Sequence, residues 1–271
     1  MKENYQDWVL DKVTNAKVVQ AIHEQYKEEF DFLYKLNDEL TKLEILLDSR
    51  VNKEGAEAFM LANFITVHKT FQAVVLLLES GLQDDAIALL RSIFERIVNI
   101  KCAMDENIYP IIMLNGVTEK LRKIKIVRRQ DTETINVENN MLEDMESQLE
   151  IEKKELLDVI RDTEKIKDKK GKYLLSDLAV FADMKQYHNY MYPVLCSKVH
   201  SDFSEIMLKI CEEQYGAYID MYPKAGNNHY YTQSIADLIV ILIGSIYSFF
   251  GIKGDIPQKL YEEEKNIWSD L

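Results

Sequence analysis

Residues 84–105 read DDAIALLRSIFERIVNIKCAMD, and this stretch decides the fold. Its apolar residues recur so densely that they cover more than half of a helical circumference, which is the pattern of a central helix rather than a peripheral one. A helix is therefore predicted over about 83–105, with most of its surface against other helices. Arg91 and Glu95 stand out against that background. Four positions apart, they face nearly the same direction. An exposed i,i+4 pair normally sits on a broadly polar face, which this helix scarcely has. A partly buried pair either orients two helices or aims arginine donors at a ligand, and the spacing leaves both readings open.

Upstream, residues 59–78 form a still more apolar helical pattern, and Ser80-Gly81 supplies its stop, since glycine takes a left-handed C-terminal position without a Cβ clash. Two antiparallel helices follow from that turn. Further upstream, Val19, Ile22, Tyr26, Phe30, Leu33, Leu36, Leu40, Leu43 and Leu47 step by three and four along what reads as one long scaffold helix, closed by the polar SRVNKEG of 49–55.

Downstream, Tyr109-Pro110 marks a bend before a shorter helix over about 111–127. In the acidic stretch of 131–155 and just beyond it, Leu142, Met145, Leu149, Leu156 and Val159 keep nearly heptad spacing, with Glu152 in the missing apolar place. This predicts an exposed helical arm or one half of a long hairpin. Residues 161–172, RDTEKIKDKKGK, read as a linker, and helix resumes near Tyr173. The segment YGAYIDMYPKAGNN, 215–228, reads as a short strand or a covering loop; 232–250 is the last core helix, and a short amphipathic helix follows Pro257. The expected architecture is all-α: a four-helix-bundle-like core with a charged helical insertion at 120–172 and additional terminal helices. Residues 1–271 are read as one domain whose two halves share a core.

Composition agrees. The chain has 271 residues, 47% of them hydrophobic, with only 9 Gly and 4 Pro, which excludes general disorder and disfavours a turn-rich sandwich. Its 33 Lys+Arg against 46 Asp+Glu give a net charge of -13, a field that discourages indiscriminate wrapping of nucleic acid but leaves room for a local basic patch. Cys102, Cys196 and Cys211 are odd in number and lack paired CxxC spacing, as expected in a reducing compartment. The first residues show no apolar leader, so a cytoplasmic location is expected. Residues 238–252, LIVILIGSIYSFFGI, are uncharged for 15 positions, fewer than the roughly 18–20 of a spanning helix. They are read as a buried helix, and no stable membrane insertion is expected.

Two further groups carry candidate chemistry. Lys120, Arg122, Lys123, Lys125, Arg128 and Arg129 form a run of six cations with no acid among them. It reads either as a phosphate-binding patch or as a solvated helix face, because Leu121, Ile124, Ile126 and Val127 alternate with the charges. The second group is Tyr192, Ser197, His200, Ser201 and Asp202 in HNYMYPVLCSKVHSD. Ser197 and His200 share a helical face, and His200 is the best single candidate for ligand contact or proton transfer, although a structural histidine fits the same pattern. Tyr192, Ser197 and Ser201 are candidate ligand contacts. His23, His68, His188 and His229 are dispersed without HExxH-type spacing, so no metal site is expected. No GxGxxG or GxxxxGK motif is present, and no cofactor is expected.

RSIFE, 91–95, in the central helix and LCSKVHSD, 195–202, after a tyrosine-bearing helix together resemble the bacterial domain-of-unknown-function family numbered 5677, over about 55–252. That family in turn resembles the helical domains of the higher eukaryotes and prokaryotes nucleotide-binding superfamily, which includes metal-independent ribonucleases of toxin and antiviral systems. In those enzymes an arginine is followed four to six residues later by a histidine. Here Arg91 is followed by Glu95 and Arg96 instead. The resemblance implies a regulatory or defence-associated ligand-binding module acting on RNA or a nucleotide, alone, as a homodimer or with a protein partner. Its stronger form is a ribonuclease in which Arg91 stabilises phosphate charge, His200 transfers a proton, and Ser197 or Tyr192 positions RNA. A protein-interaction scaffold, with the same side chains holding the fold, is the third reading.

Overall fold

A computed structural model describes residues 12–50, 54–129, 139–161, 173–199, 210–213, 216–219 and 228–269. The fold is all-α. In chain order the helices are α1 (Lys12–Gln25), α2 (Lys27–Arg50), α3 (Gly55–Glu79), α4 (Gln83–Ala103), α5 (Tyr109–Arg129), α6 (Asn139–Arg161), α7 (Leu175–Phe181) and α8 (Lys185–Val199). A two-stranded antiparallel ribbon follows, β1 (Ile210–Glu213) and β2 (Gly216–Ile219), paired from Ile210 with Ile219 to Glu213 with Gly216. The chain ends in α9 (His229–Phe249) and α10 (Ile256–Trp268).

The chain packs as two compact units. The first comprises Met1–Lys53, Leu61–Ile97 and Gln186–Leu271; the second comprises Glu54–Met60 and Val98–Lys185. Helices from both sides of the 162–172 stretch thus meet in the first unit. There α9 packs on α2 and α10, and α2 also meets α1 and α10. Ten residues of α9 are buried, from Thr232 to Ile246. By length and composition alone, α3 and α9 are long and apolar enough to cross a membrane, and 44% and 56% of their most apolar windows lie inside the fold.

The expected single helix over Val19–Leu47 is two helices meeting at Tyr26. Backbone hydrogen bonds run through the junction, from Tyr26 to Ile22 and from Phe30 to Tyr26, so the chain bends without breaking. The bend puts the buried Tyr26 ring edge-on to His229, 4.8 Å between centroids. Helix α3 stops where expected. Gly81 takes φ +73°, and the Leu82 amide reaches back to the Leu77 carbonyl, which satisfies the end of the helix. Gly251 at φ +57° repeats the device after α9, with Ile252 donating to Tyr247.

In the second unit α5 and α6 form a hairpin. Pro110 sits in the first turn of α5, where its missing N–H costs nothing. The buried stripe of α5 is Ile111, Leu114, Val117, Leu121 and Ile124. The seam on α6 departs from the heptad expectation: Leu142 and Ile160 are buried, whereas Met145 and Val159 are exposed. Leu142, Leu149 and Leu156 keep the seven-residue step, but the second position of the repeat falls at Glu146, Lys153 and Ile160, one residue beyond the expected Met145, Glu152 and Val159. In the same unit the Cys102 thiol donates to the Leu178 carbonyl at 3.3 Å, and burial pushes its pKa up to about 12.

Candidate functional site

Helix α4 sets up the site by how its faces divide. Ala86, Ile87, Leu90, Ile93, Phe94 and Ile97 are all buried, which takes up one broad arc of the helix. At about 100° per residue, Arg91, Ser92, Glu95 and Arg96 share the opposite arc with Asp84 and Asp85 of the first turn.

On one flank of that arc stands α8. Arg91 Nε donates to Glu95 Oε1 at 2.9 Å, and the Tyr192 hydroxyl donates to the same oxygen at 2.8 Å. The Arg91 guanidinium carbon lies 5.4 Å from the centre of the Tyr192 ring, within cation–π range. Tyr192 stacks on His188 at 5.1 Å, and both rings meet Phe94. One carboxylate oxygen and one aromatic face therefore hold the guanidinium in place while a quarter of its side chain stays exposed.

Electrostatics follow from the same contacts. Burial is the largest single influence and works against the Arg91 charge, but the Glu95 hydrogen bond, Tyr192, Cys196 and the Glu95 charge together outweigh it, and the pKa is raised. Burial, then the Glu95 hydrogen bond and then Cys196, push the Tyr192 phenol far above its ordinary range. Tyr192 thus stays a neutral donor at any physiological pH. His188, Tyr192 and Cys196 are spaced by four, so one stripe of α8 delivers an imidazole, a phenol and a thiol toward α4. The sequence reading found Tyr192 and missed the other two. Stepping four residues either way from Tyr192 finds both.

On the other flank stands α3. Arg96 donates from Nη1 to Asn63 Oδ1 at 3.1 Å, while its buried Nε has no hydrogen-bond partner. Arg96 forms no ion pair among the described residues. Arg91 and Arg96, the outer charges of RSIFER, therefore face opposite edges of the same polar arc.

The other expected site residues fall elsewhere. The Ser197 hydroxyl turns back to the Val194 carbonyl of its own helix at 2.9 Å. His200 and Ser201 lie outside the described residues, as does the side chain of Arg129. The cationic run of α5 is heavily paired. Arg122 makes two bonds to Glu119, and Lys123 lies 3.9 Å from the same carboxylate. Across the hairpin Arg128 bridges Glu143 and Glu146, and Lys125 pairs with Glu146 and Glu150. Lys120 is exposed.

Long-range packing also gives three histidines acidic partners that spacing does not reveal. His68 holds Glu44 at 2.8 Å and Asn37 at 3.0 Å; His23 meets Glu79 at 3.1 Å; and His229 pairs with the buried Glu29, which also accepts from Thr232. Among the described residues no three His, Cys, Asp or Glu side chains are grouped to hold a metal ion.

The chain belongs to a family of unknown function, DUF5677, whose model matches residues 57–217. The match spans α3 to α8 and reaches the start of β2, so both RSIFE and LCSKVHSD lie inside it. It begins two residues after the expected 55 and ends at 217, ahead of α9, which the expected 55–252 included. No curated protein and no solved structure matches the chain.

Proposed function

We propose that the protein is a regulatory or defence-associated ligand-binding helical module, and that its ligand is RNA or a nucleotide held through phosphate at Arg91. The observation that carries this reading is the setting of Arg91. Its guanidinium is fixed by Glu95 and by the face of Tyr192, yet a quarter of the side chain remains open to solvent. A planar donor already held in one orientation loses little entropy on meeting a phosphate oxygen pair, which is where arginine outperforms lysine. The resemblance of the family to the higher eukaryotes and prokaryotes nucleotide-binding helical domains supports the same ligand class. The free thiols of Cys102 and Cys196 support action in the cytoplasm.

The test compares the intact chain with Arg91→Ala and His200→Ala against a mixed RNA pool and mononucleotides without added metal, following binding and cleavage separately. The melting curve of each variant is recorded in parallel. Binding that falls at least tenfold in Arg91→Ala, with an unchanged melt, is the expected result. Equal binding by wild type and Arg91→Ala sinks the reading, as does no binding by either. Cleavage lost in His200→Ala but with binding kept would raise the module to a ribonuclease.

A further inference from the structure

We propose that Arg96 is a second anion position of the same site, so that the ligand presents a run of successive phosphates laid across the exposed arc of α4 rather than one phosphate. This rests on the reading of Arg91 as a phosphate contact and specifies what that ligand must look like.

The starting observation is electrostatic. A guanidinium withdrawn from water is costly unless a carboxylate or another anion compensates its charge. Arg91 has Glu95. Arg96 has only the neutral amide oxygen of Asn63, no carboxylate among the described residues, and a buried Nε without an acceptor. Asn63 is itself buried, so this is a built contact of the α3–α4 pair and not a surface accident. On the arc itself, Arg91 is matched by Glu95, whereas Arg96 is a guanidinium with no carboxylate partner among the described residues; Asp84 and Asp85 lie on the same arc in the first turn of the helix. Without Arg96 an anion would meet only the Glu95-paired Arg91 and the acids of the first turn.

Geometry then selects the ligand. The two arginines are five positions apart, about 7.5 Å along the helix axis and about 140° around it. Arg91 leans to the Tyr192 side and Arg96 to the Asn63 side, so a single phosphate cannot engage both. A phosphate chain crossing α4 obliquely can, with Ser92 between the two. Glu95 Oε1 is already occupied by Arg91 and Tyr192, which keeps that carboxylate drawn toward α8 and away from the crossing chain.

Two sources share this chemistry, single-stranded RNA and inorganic polyphosphate, and the experiment separates them. Full-length protein is titrated with oligouridylates of increasing length and with polyphosphate of matched charge, each over a salt series. Wild-type affinity is expected to rise with length, and the preferred probe identifies the source. Arg96→Gln should flatten the length dependence and lower the salt slope by about 0.7 for RNA, so that it loses about 2.6-fold less affinity than wild type between about 50 and 200 mM salt. Asn63→Asp reaches the same end without removing the arginine, since it places a carboxylate against Arg96; it covers the case in which Arg96→Gln folds poorly. Arg96→Lys should keep the slope.

Wild-type slope and length dependence in both Arg96→Gln and Asn63→Asp, with binding still lost in Arg91→Ala, would overturn this inference and leave the Arg91 reading intact. Absence of binding by wild type to every probe would overturn the Arg91 reading, and this one with it.

Discussion

Replacing Glu264 by glutamine should stabilise the protein, and the gain should grow with pH. Glu264 lies on α10, 6% exposed, beside Asp237 of α9. Burial, and next the hydrogen bond to Asp237, raise its pKa from 4.5 to about 9. Burial also raises Asp237, though its bond with Glu264 draws it back. Glu264 therefore keeps its proton at neutral pH and donates it to Asp237. Tyr187, pushed to about 12 by burial and then by the nearby acids, adds no positive charge.

A group whose folded pKa lies above its unfolded value stabilises the fold fully below the unfolded value. That contribution is lost as pH rises toward the folded value, here between 4.5 and about 9. Each pH unit is worth about 1.4 kcal/mol, so the span from 4.5 to pH 7 makes roughly 3 kcal/mol before screening. Asp237 is only partly buried, and halving for solvent gives roughly 2 kcal/mol at pH 7, a small fraction of that at pH 5 and more at pH 8. Glutamine fills the same volume, donates to Asp237 and never ionises, so its advantage over glutamate should follow this progression.

Urea unfolding read by Trp268 is the assay. That indole lies one turn beyond Glu264 and packs on Phe32 at 5.8 Å, so it reports on this unit alone, in a Trp8→Phe background. A difference between Glu264→Gln and wild type that stays flat from pH 5 to 8 would refute the reasoning. Asp237→Asn is the companion: it should lower the Glu264 pKa and shrink the pH dependence.

Tyr192→Phe removes one of the two donors on Glu95 Oε1 and should cost about 1 kcal/mol in urea unfolding while the Arg91–Glu95 bond survives. In the α5–α6 hairpin, Arg128→Ala should cost about 0.5–1 kcal/mol at low salt and nearly nothing at high salt, because its partners Glu143 and Glu146 are 58% and 21% exposed. Leu142→Ala, at the buried seam, should cost about 2–4 kcal/mol at any salt; hydrogen exchange across the hairpin measures both. Two glycine replacements should have opposite signs in thermal melts. Gly116→Ala, mid-helix on α5 with open space at its Cβ, should gain about 0.5–1 kcal/mol, and Gly251→Ala, at φ +57°, should lose about 1 kcal/mol.

What the sequence made legible was whatever a single helix determines by itself. The central position of α4, the stop at Gly81, the Pro110 start of α5 and the facing of Arg91 with Glu95 all follow from periodicity and local backbone chemistry. Contacts between helices were legible only where one helix aligned them. Tyr192 was found but not its bond to Glu95, 97 residues away. His68–Glu44, His229–Glu29 and Asp237–Glu264 join helices whose patterns say nothing of one another. Glu264 is the clearest case, since it sits in the charged YEEEKN of α10 and looks solvated until α10 is laid on α9. On α6 the seven-residue step of Leu142, Leu149 and Leu156 was legible, but the other half of the seam lies at Glu146, Lys153 and Ile160, whose charged members hide it from an apolar pattern.

The same distinction bears on where the proposed anion site lies. By count, the run from Lys120 to Arg129 is the strongest cationic feature of a chain carrying -13. In the fold Lys125 and Arg128 are matched by Glu143, Glu146 and Glu150 on α6, and Arg122 and Lys123 by Glu119. A phosphate arriving there must displace carboxylates tethered at high local concentration, and opening the hairpin to free them would expose the apolar stripe around Leu121 and Leu142. A lone arginine with only an amide partner imposes no such cost. Arg96, which no run of charges advertises, is for that reason the stronger electrostatic position. Charge reversal at Arg128 should accordingly loosen the hairpin in hydrogen exchange before it changes affinity for any phosphate chain, and the opposite order would return the site to α5.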